Sequence, residues 1–245
     1  MNTDKWELEA LLRWYKVLGV DVLFAPIPDN LKSATSSSNN ANIGNTVSIS
    51  TTKTVTPIEI SDMDGFTVLC NEINKIDCPL KRTARNTVIY DGDIKAKVML
   101  IGEAPGYDED VQGKPFVGKS GILLNKMLAS INLKREDIFI ANTVFWRPPG
   151  NRTPSQDEIS LCLPFVKRLI KLVAPKVIML LGSVATHAIL ETMQPISKLR
   201  GRETEFMGIK TIPTYHPAYL LRNPSQKKSA YNDLLLLERV LSGNY

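Results

Sequence analysis

Short apolar segments alternate with helical segments through most of this chain, and this alternation constrains the fold more than any other feature. Four apolar runs each end near Gly, Asn or a turn: 97–102 (KVMLIG), 137–142 (DIFIAN), 176–182 (KVIMLLG) and 210–215 (KTIPTY). Helical apolar periodicity covers residues 121–131, 155–173 and 184–193. Strands that alternate with helices of this length indicate a parallel sheet covered on both faces. The sequence therefore predicts an α/β fold, a three-layer α/β/α sandwich with a central, mainly parallel four-stranded sheet.

The first 60 residues have a different character. Residues 33–56 consist mostly of Ser, Thr and Asn without periodicity, so they bury too little apolar surface to offset their ordering entropy. We therefore predict an amphipathic helix region at 1–32, a flexible linker at 33–60 and the main domain at 61–245. Two interpretations of this helix stay open. It docks on the main domain, or it is tethered by the linker and binds another protein.

Composition and charge limit the classes of protein to which this chain can belong. In 245 residues, no apolar run approaches the roughly 20 needed to span a bilayer, and the acidic amino terminus does not resemble a secretory signal. The three cysteines, Cys70, Cys78 and Cys162, form no even disulfide framework, so a reducing cytoplasm is expected. The net charge is +5, with the positive excess after residue 60, which is compatible with a polyanionic partner.

One motif suggests nucleotide binding. Residues 113–120 (GKPFVGKS) match the pattern G-x-x-x-x-G-K-[ST] of a P-loop. A P-loop needs a strand that leads directly into it, but the preceding GYDEDVQ is acidic and not strand-like. A P-loop NTPase is therefore only a minor alternative.

Three polar segments follow the predicted strands, at the sheet edge where such folds bind ligands. They are 102–121 (GEAPGYDEDVQGKPFVGKSG), 141–162 (ANTVFWRPPGNRTPSQDEISLC) and 215–222 (YHPAYLLR). Together and in this order they resemble the uracil-DNA glycosylase superfamily, in particular its family 4, which is typified by an iron–sulfur cluster. The resemblance covers residues 78–237. It implies hydrolysis of uracil from DNA, which leaves an abasic site and begins base-excision repair.

The resemblance also implies roles for individual side chains. His216 would donate a hydrogen bond to uracil O2 as negative charge develops, and the Asn142 amide would pair with O4 and N3–H. Phe116 would stack on the flipped base, and Glu109 would lie against C5, where its bulk excludes the methyl group of thymine.

The loop after the first strand has two further roles in this resemblance. Backbone groups of Ala104 and Gly106 would approach the base and sugar closely. Three acids, Glu103, Asp108 and Glu109, are candidates for positioning the attacking water, and the sequence does not choose among them.

A DNA-binding surface is expected around the same segments. Tyr219, Leu220, Leu221 and Arg222 suit a loop that fills the gap left by a flipped nucleotide. Candidate phosphate contacts are Lys119, Arg147, Arg152, Lys227 and Lys228. For each of these, an ordinary solvated basic residue is the alternative.

The cluster ligands of family 4 are incomplete. Cys78 and Cys162 match two of the four cysteines, whereas Lys75 and Trp146 occupy the other two positions. Because a [4Fe–4S] cluster needs four thiolates, we predict no cluster, and no other metal or nucleotide cofactor.

The resemblance favours a monomer, and it leaves the amino-terminal helix as a candidate contact for a repair protein. A non-catalytic module that binds uracil or damaged DNA is the main alternative function. His187 lies on a predicted helix without a motif, so a structural role is expected.

Overall fold

The computed structural model describes Trp14 and residues 60–243. The strands are β1 (Tyr90–Gly92), β2 (Val98–Gly102), β3 (Phe139–Asn142), β4 (Val177–Leu181), β5 (Thr204–Phe206) and β6 (Ile209–Thr214). The helices are α1 (Ile60–Ile73), α2 (Tyr107–Gln112), α3 (Lys119–Ala129), α4 (Gln156–Val173), α5 (Ser183–Leu190), α6 (Ile196–Leu199), α7 (Pro217–Arg222) and α8 (Lys227–Ser242).

The sheet is mixed, with the strand order β1-β3-β2-β4-β6-β5. Its four central strands are parallel and coincide with the four predicted runs, whereas β1 and β5 pair antiparallel at the two edges. The predicted number of four strands is therefore wrong, because the described residues form a sheet of six. The edge strands escaped notice since each has only three residues and is partly exposed, which leaves no buried apolar run to detect.

Helices cover both faces of the sheet because its side chains alternate. Met99 and Ile101 pack with α1, α4 and α5 on one face. Val98 and Leu100 pack with α3, α7 and α8 on the other. The described residues therefore form three layers around two apolar clusters. Among them, no helix is both long enough and apolar enough to cross a membrane.

Helix α4 begins at a reciprocal cap that the sequence pattern S-x-x-E encodes. The Glu158 N–H donates to Ser155 Oγ at 3.2 Å, and the Ser155 N–H donates to Glu158 Oε2 at 2.7 Å. The cap fixes where the loop after β3 ends and α4 begins.

Trp14 is the one described residue of the amino-terminal segment. It is fully buried, and its ring stacks on Tyr231 of α8 with centroids 4.9 Å apart. The rest of the predicted helix and of the linker lies outside the described residues, so the two alternatives for this helix stay predictions.

Trp146 fills the core between the end of β3 and α4. Only 1% of its side chain is exposed, and its Nε1–H donates to Thr87 Oγ1 at 3.2 Å. Its ring meets the Phe145 ring edge-on, with centroids 5.9 Å apart. An aromatic side chain packed in this way contributes strongly to stability.

We expect Trp146→Ala to lower the free energy of unfolding by about 3–5 kcal/mol, because it removes buried area and leaves a cavity. Urea denaturation followed by circular dichroism measures the change. Met193→Ala is the control, since Met193 is 88% exposed and should change stability little. A loss for Trp146→Ala no larger than that of the control would contradict the packing described here.

Candidate active site

A cavity of about 760 Å³ lies at the carboxyl ends of the parallel strands. Its walls come from the segments that follow all four: Glu103, Ala104 and Gly106 after β2, Pro148, Asn151 and Arg152 after β3, Ser183 after β4, and Tyr215, His216 and Tyr219 after β6. Parallel strands present these ends at one edge of the sheet, so residues far apart in sequence meet there.

His216 caps α7 at the wall of this cavity. Its Nδ1 accepts the N–H of Ala218 at 3.1 Å, which places the proton of a neutral imidazole on Nε2. Burial, aided by the positive charge of Arg222, lowers the pKa of His216 to about 4. Its neighbour Gly182 has a φ of +92°, and a Cβ there would lie 2.9 Å from His216 Cβ. The site therefore holds a neutral imidazole with one free N–H donor.

Phe116 lies next to both His216 and Asn142. The rings of Phe116 and His216 have centroids 5.5 Å apart. A Cβ on Gly102 would lie 2.5 Å from both Asn142 Oδ1 and Phe116 Cζ, so only glycine permits this close approach.

The Asn142 amide is buried without a hydrogen-bond partner. Its side chain is 1% exposed, and neither Oδ1 nor Nδ2 makes a bond within the described part of the chain. Leaving a buried amide unpaired costs free energy, so such a group in a folded protein calls for an explanation. An unpaired amide next to Phe116, a ring that lines the cavity, is suited to pair with a bound ligand.

Glu109 holds the loop that carries Phe116. Its Oε1 accepts the N–H groups of Val117 and Gly118, both at 2.9 Å, and its Oε2 accepts the N–H of Gly106 at 3.1 Å. Phe116 itself has a φ of +52°, an uncommon conformation for a side chain of this size. The Glu109 carboxylate thus stabilises a strained loop, and both of its oxygens are already engaged.

Glu103 differs from the other two candidate acids. It lines the cavity, and burial raises its pKa, opposed by a hydrogen bond from Thr153. Its backbone carbonyl accepts the Thr143 hydroxyl at 2.6 Å, which ties the loop after β2 to the end of β3. Asp108 is exposed. Glu103 is therefore the acid with a carboxylate at the cavity wall that is not bound to backbone N–H groups.

Known proteins resemble this chain over more than half of its length. Residues 89–236 match the family model described as the uracil DNA glycosylase superfamily. The chain belongs to this superfamily. It is 40% identical over 190 residues to a type-4 uracil-DNA glycosylase of Saccharolobus solfataricus, a match covering 74% of this chain and 88% of that protein. It is also 40% identical over 152 residues to the Thermotoga maritima type-4 enzyme, covering 61% and 79%.

The P-loop alternative lacks its structural context in this glycosylase-family chain. Residues 113–120 follow helix α2 rather than a strand. The N–H groups of Val117 and Gly118, which would cradle a phosphate, are bound to the Glu109 carboxylate. The match to GxxxxGK[ST] is therefore a coincidence of sequence.

Two predicted phosphate-binding arginines have partners within the protein. Arg152 forms a two-pronged ion pair with Glu158 at 2.8 and 2.7 Å, and hydrogen bonding to Arg152 lowers the pKa of Glu158 to about 2. Arg147 Nε donates to Asn151 Oδ1 at 2.6 Å, and its guanidinium lies 5.0 Å from the centroid of the Tyr107 ring. Both arginines have fixed positions near the cavity.

The remaining predicted DNA contacts differ in their position and exposure. Tyr219 and Arg222 line the cavity, and Leu221 is 44% exposed on α7. Lys119 and Lys228 are exposed, and Lys227 is partly buried. Outside this group, His187 bonds the Gln194 carbonyl through Nε2 at 2.9 Å, in keeping with a structural role.

Sequence reasoning missed a buried ion pair behind His216. Asp233 of α8 is 1% exposed and pairs with Arg200, whose guanidinium also lies 5.3 Å from the centroid of the Tyr215 ring. Thr214 Oγ1 donates to Asp233 Oδ2 at 2.6 Å. The network therefore holds the end of β6 just before His216. No local motif links these residues, so only the tertiary structure brings them together.

The residues present do not fit an iron–sulfur cluster. Cys78 and Cys162 are buried free thiols, and burial raises the pKa of Cys162 to about 12. Lys75 is exposed, and Trp146 is buried in the core. Within the described residues, no group of three or more His, Cys, Asp or Glu side chains is suited to hold a metal ion.

We expect the imidazole of His216 to stay neutral until the pH falls to about 4. NMR titration of the ring carbon shifts measures this directly, and His216→Gln assigns the signal because the chain has 2 histidines. Since an unfolded histidine binds its proton near pH 6.5, this group should destabilise the fold progressively as pH falls from about 6.5 to about 4. A midpoint near 6.5 in the folded protein would overturn the assignment.

Proposed function

We propose that this chain hydrolyses the N-glycosidic bond of uracil in DNA, releasing free uracil and leaving an abasic site, as the first step of base-excision repair. The observation that carries this proposal is the buried, unpaired amide of Asn142 beside Phe116 and the neutral imidazole of His216. Membership of the uracil-DNA glycosylase superfamily and the names of the type-4 relatives support the same reaction.

Uracil is recognised by the Asn142 amide and the Phe116 ring. The base leaves the DNA stack and enters the cavity, where it stacks on Phe116. Asn142 Nδ2 donates to uracil O4, and Oδ1 accepts N3–H, so both orphaned atoms gain a partner. Glu109 limits the space near C5 and holds the Phe116 loop through its backbone bonds.

Cleavage depends on stabilising the departing base. As the bond from the sugar C1′ to uracil N1 breaks, its electron pair stays with uracil and the sugar becomes oxocarbenium-like. Negative charge accumulates on O2, where the Nε2–H of His216 donates a hydrogen bond without first having to lose or gain a proton. Water then adds to C1′, and the proton that it loses balances the uracil anion. Glu103 orients this water through its carboxylate at the cavity wall.

DNA is held by the basic and apolar residues around the opening. Leu221 enters the gap that the flipped nucleotide leaves, and Tyr219 and Arg222 support it. Lys119, Arg147 and Lys228 contact phosphates, so binding weakens as the salt concentration rises. Arg152 contributes through the donors that its pair with Glu158 leaves free.

We expect His216→Ala to slow uracil release by about 100- to 1,000-fold while leaving DNA binding nearly unchanged, because it removes one donor to the developing charge. The assay measures abasic-site formation in a labelled strand with one uracil, in EDTA and without ATP. Thymine and cytosine strands are substrate controls. His187→Ala is the matched variant, and it should retain wild-type activity. Near-wild-type release by His216→Ala would remove His216 from the mechanism.

The same assay tests the alternative of a non-catalytic binding module. Glu103→Gln keeps the shape of the side chain but removes the charge that orients water, so release should fall while binding persists. If the wild-type chain binds the uracil strand tightly and never releases the base, the binding module replaces the glycosylase.

We also propose that catalysis needs no iron–sulfur cluster. The support is the pair of non-ligating residues at the matching positions, with Trp146 packed into the core and Lys75 in solvent. Two buried thiols, Cys78 and Cys162, cannot replace four thiolates.

Iron analysis of protein purified without oxygen should show far less than the roughly four irons per chain that a [4Fe–4S] cluster contains. Exposure to a chelator should leave both uracil release and thermal stability unchanged. A brown protein with about four irons per chain would overturn this proposal.

Further proposals concern the oligomeric state, the cellular compartment and a protein partner. We propose a monomer that acts in a reducing cytoplasm, supported by three cysteines that are all free thiols in the described part of the chain. A repair-protein partner for the amino-terminal segment is proposed as well. Sedimentation of the full chain, alone and with DNA, tests the oligomeric state.

A further inference from the structure

Tyr107 is an aromatic ring in solvent at the first position of α2. Its side chain is 57% exposed, and it is the one aromatic residue among the large exposed apolar side chains of the described residues. A single exposed ring is ordinary in itself. What distinguishes Tyr107 is that its position is fixed.

Arg147 fixes the ring from one side. The guanidinium lies 5.0 Å from the centroid of the Tyr107 ring, within the range of a cation–π interaction. Arg147 Nε in turn donates to Asn151 Oδ1 at 2.6 Å, so the guanidinium is itself anchored. One face of Tyr107 is thus covered and the ring remains largely open to solvent. A ring held in this way loses little conformational entropy when a ligand stacks on it.

The two residues adjoin the wall of the cavity along the chain. Tyr107 directly follows Gly106, and Arg147 directly precedes Pro148, and both Gly106 and Pro148 line the cavity. Consecutive Cα atoms are about 3.8 Å apart, so the backbone that carries the ring is one residue from the wall. Nucleotides in a stacked strand rise by about 3.4 Å each, so the neighbour of a nucleotide in the cavity is within reach.

We propose that Tyr107, backed by Arg147, is a stacking platform for the base of the nucleotide adjacent to the uridine on the same DNA strand. The proposal rests on the proposed function, because it takes the cavity as the place of the uridine. Every base has a π-face, so the platform does not select a sequence. It selects an unpaired neighbour, because a base paired within a duplex cannot turn onto the ring. The platform therefore favours uracil in single-stranded DNA.

The variant Tyr107→Ala tests this preference. It should lower kcat/KM on single-stranded uracil DNA by about five- to tenfold, the weaker end of the effect of losing one stacked base, and leave the duplex value nearly unchanged. Tyr107→Phe retains the ring and should retain the activity. Val111→Ala, an exposed residue on the same helix, is the matched control. Equal losses on the single strand and the duplex would overturn the proposal.

A second experiment removes the neighbouring base from the DNA instead of the Tyr107 ring from the protein. Single strands with an abasic spacer on one side of the uridine should be poorer substrates for the wild type when the spacer replaces the stacked neighbour. On that substrate, Tyr107→Ala should cause no further loss. If Tyr107→Ala still lowers kcat/KM when both neighbours are abasic, the ring does not act by stacking on them.

A binding measurement separates this proposal from the proposed function. A fluorescent single strand with a tetrahydrofuran abasic analogue in place of the uridine reports affinity by anisotropy without turnover, and Tyr107→Ala should weaken it about five- to tenfold. If the wild type releases no uracil, the proposed function fails and this comparison alone decides the platform. Equal Kd values for the wild type and Tyr107→Ala overturn the platform even where uracil release is normal.

Discussion

Parallel pairing of the four central strands is the constraint on which this site depends. Because β3, β2, β4 and β6 run in the same direction, their carboxyl ends meet at one edge of the sheet. The loop after β2 contributes Glu103, the end of β3 contributes Asn142, and the loop after β6 contributes His216. The helices on both faces bury the strands, so the edge is held in place by two apolar clusters rather than by the loops themselves.

Polar and strained features concentrate around the cavity. Phe116 has a left-handed backbone, Gly182 yields space to His216, and the Asn142 amide is buried without a partner. The Phe116 backbone conformation and the unpaired amide each cost free energy in the absence of a ligand. Glu109 and Arg135 stabilise the Phe116 loop through backbone hydrogen bonds. Burial and the positive charge of Arg222 keep the imidazole of His216 neutral, and the bond from the Ala218 N–H to Nδ1 leaves the proton on Nε2.

The region that matches the family's cluster positions is packed with apolar side chains, in contrast to the polar cavity. Trp146 and two buried thiols, Cys78 and Cys162, belong to one continuous apolar cluster with α1 and α4. Packing of this kind stabilises the fold by burying apolar surface. The loop after β3 is instead anchored by the pair of Arg152 and Glu158 and by the cap that Ser155 makes at the start of α4.

The central layer of the fold was readable from the sequence because a buried parallel strand needs a continuous apolar run, as in residues 97–102 and 176–182. The two edge strands were not readable, since β1 and β5 are three residues long and partly exposed, which leaves no buried apolar run. Motif resemblance placed His216, Phe116 and Asn142 together, and the structure brings these three into one neighbourhood.

By itself, then, the sequence determined the fold class, the edge of the sheet at which the cavity lies and the incomplete set of cluster cysteines, because each depends on residue type and local order. The tertiary structure decided which side chains near that edge already have partners within the protein. It bound both oxygens of Glu109 to backbone N–H groups, paired Arg152 with Glu158, and set Arg147 against Tyr107. These outcomes depend on distances and burial between segments that local patterns do not record.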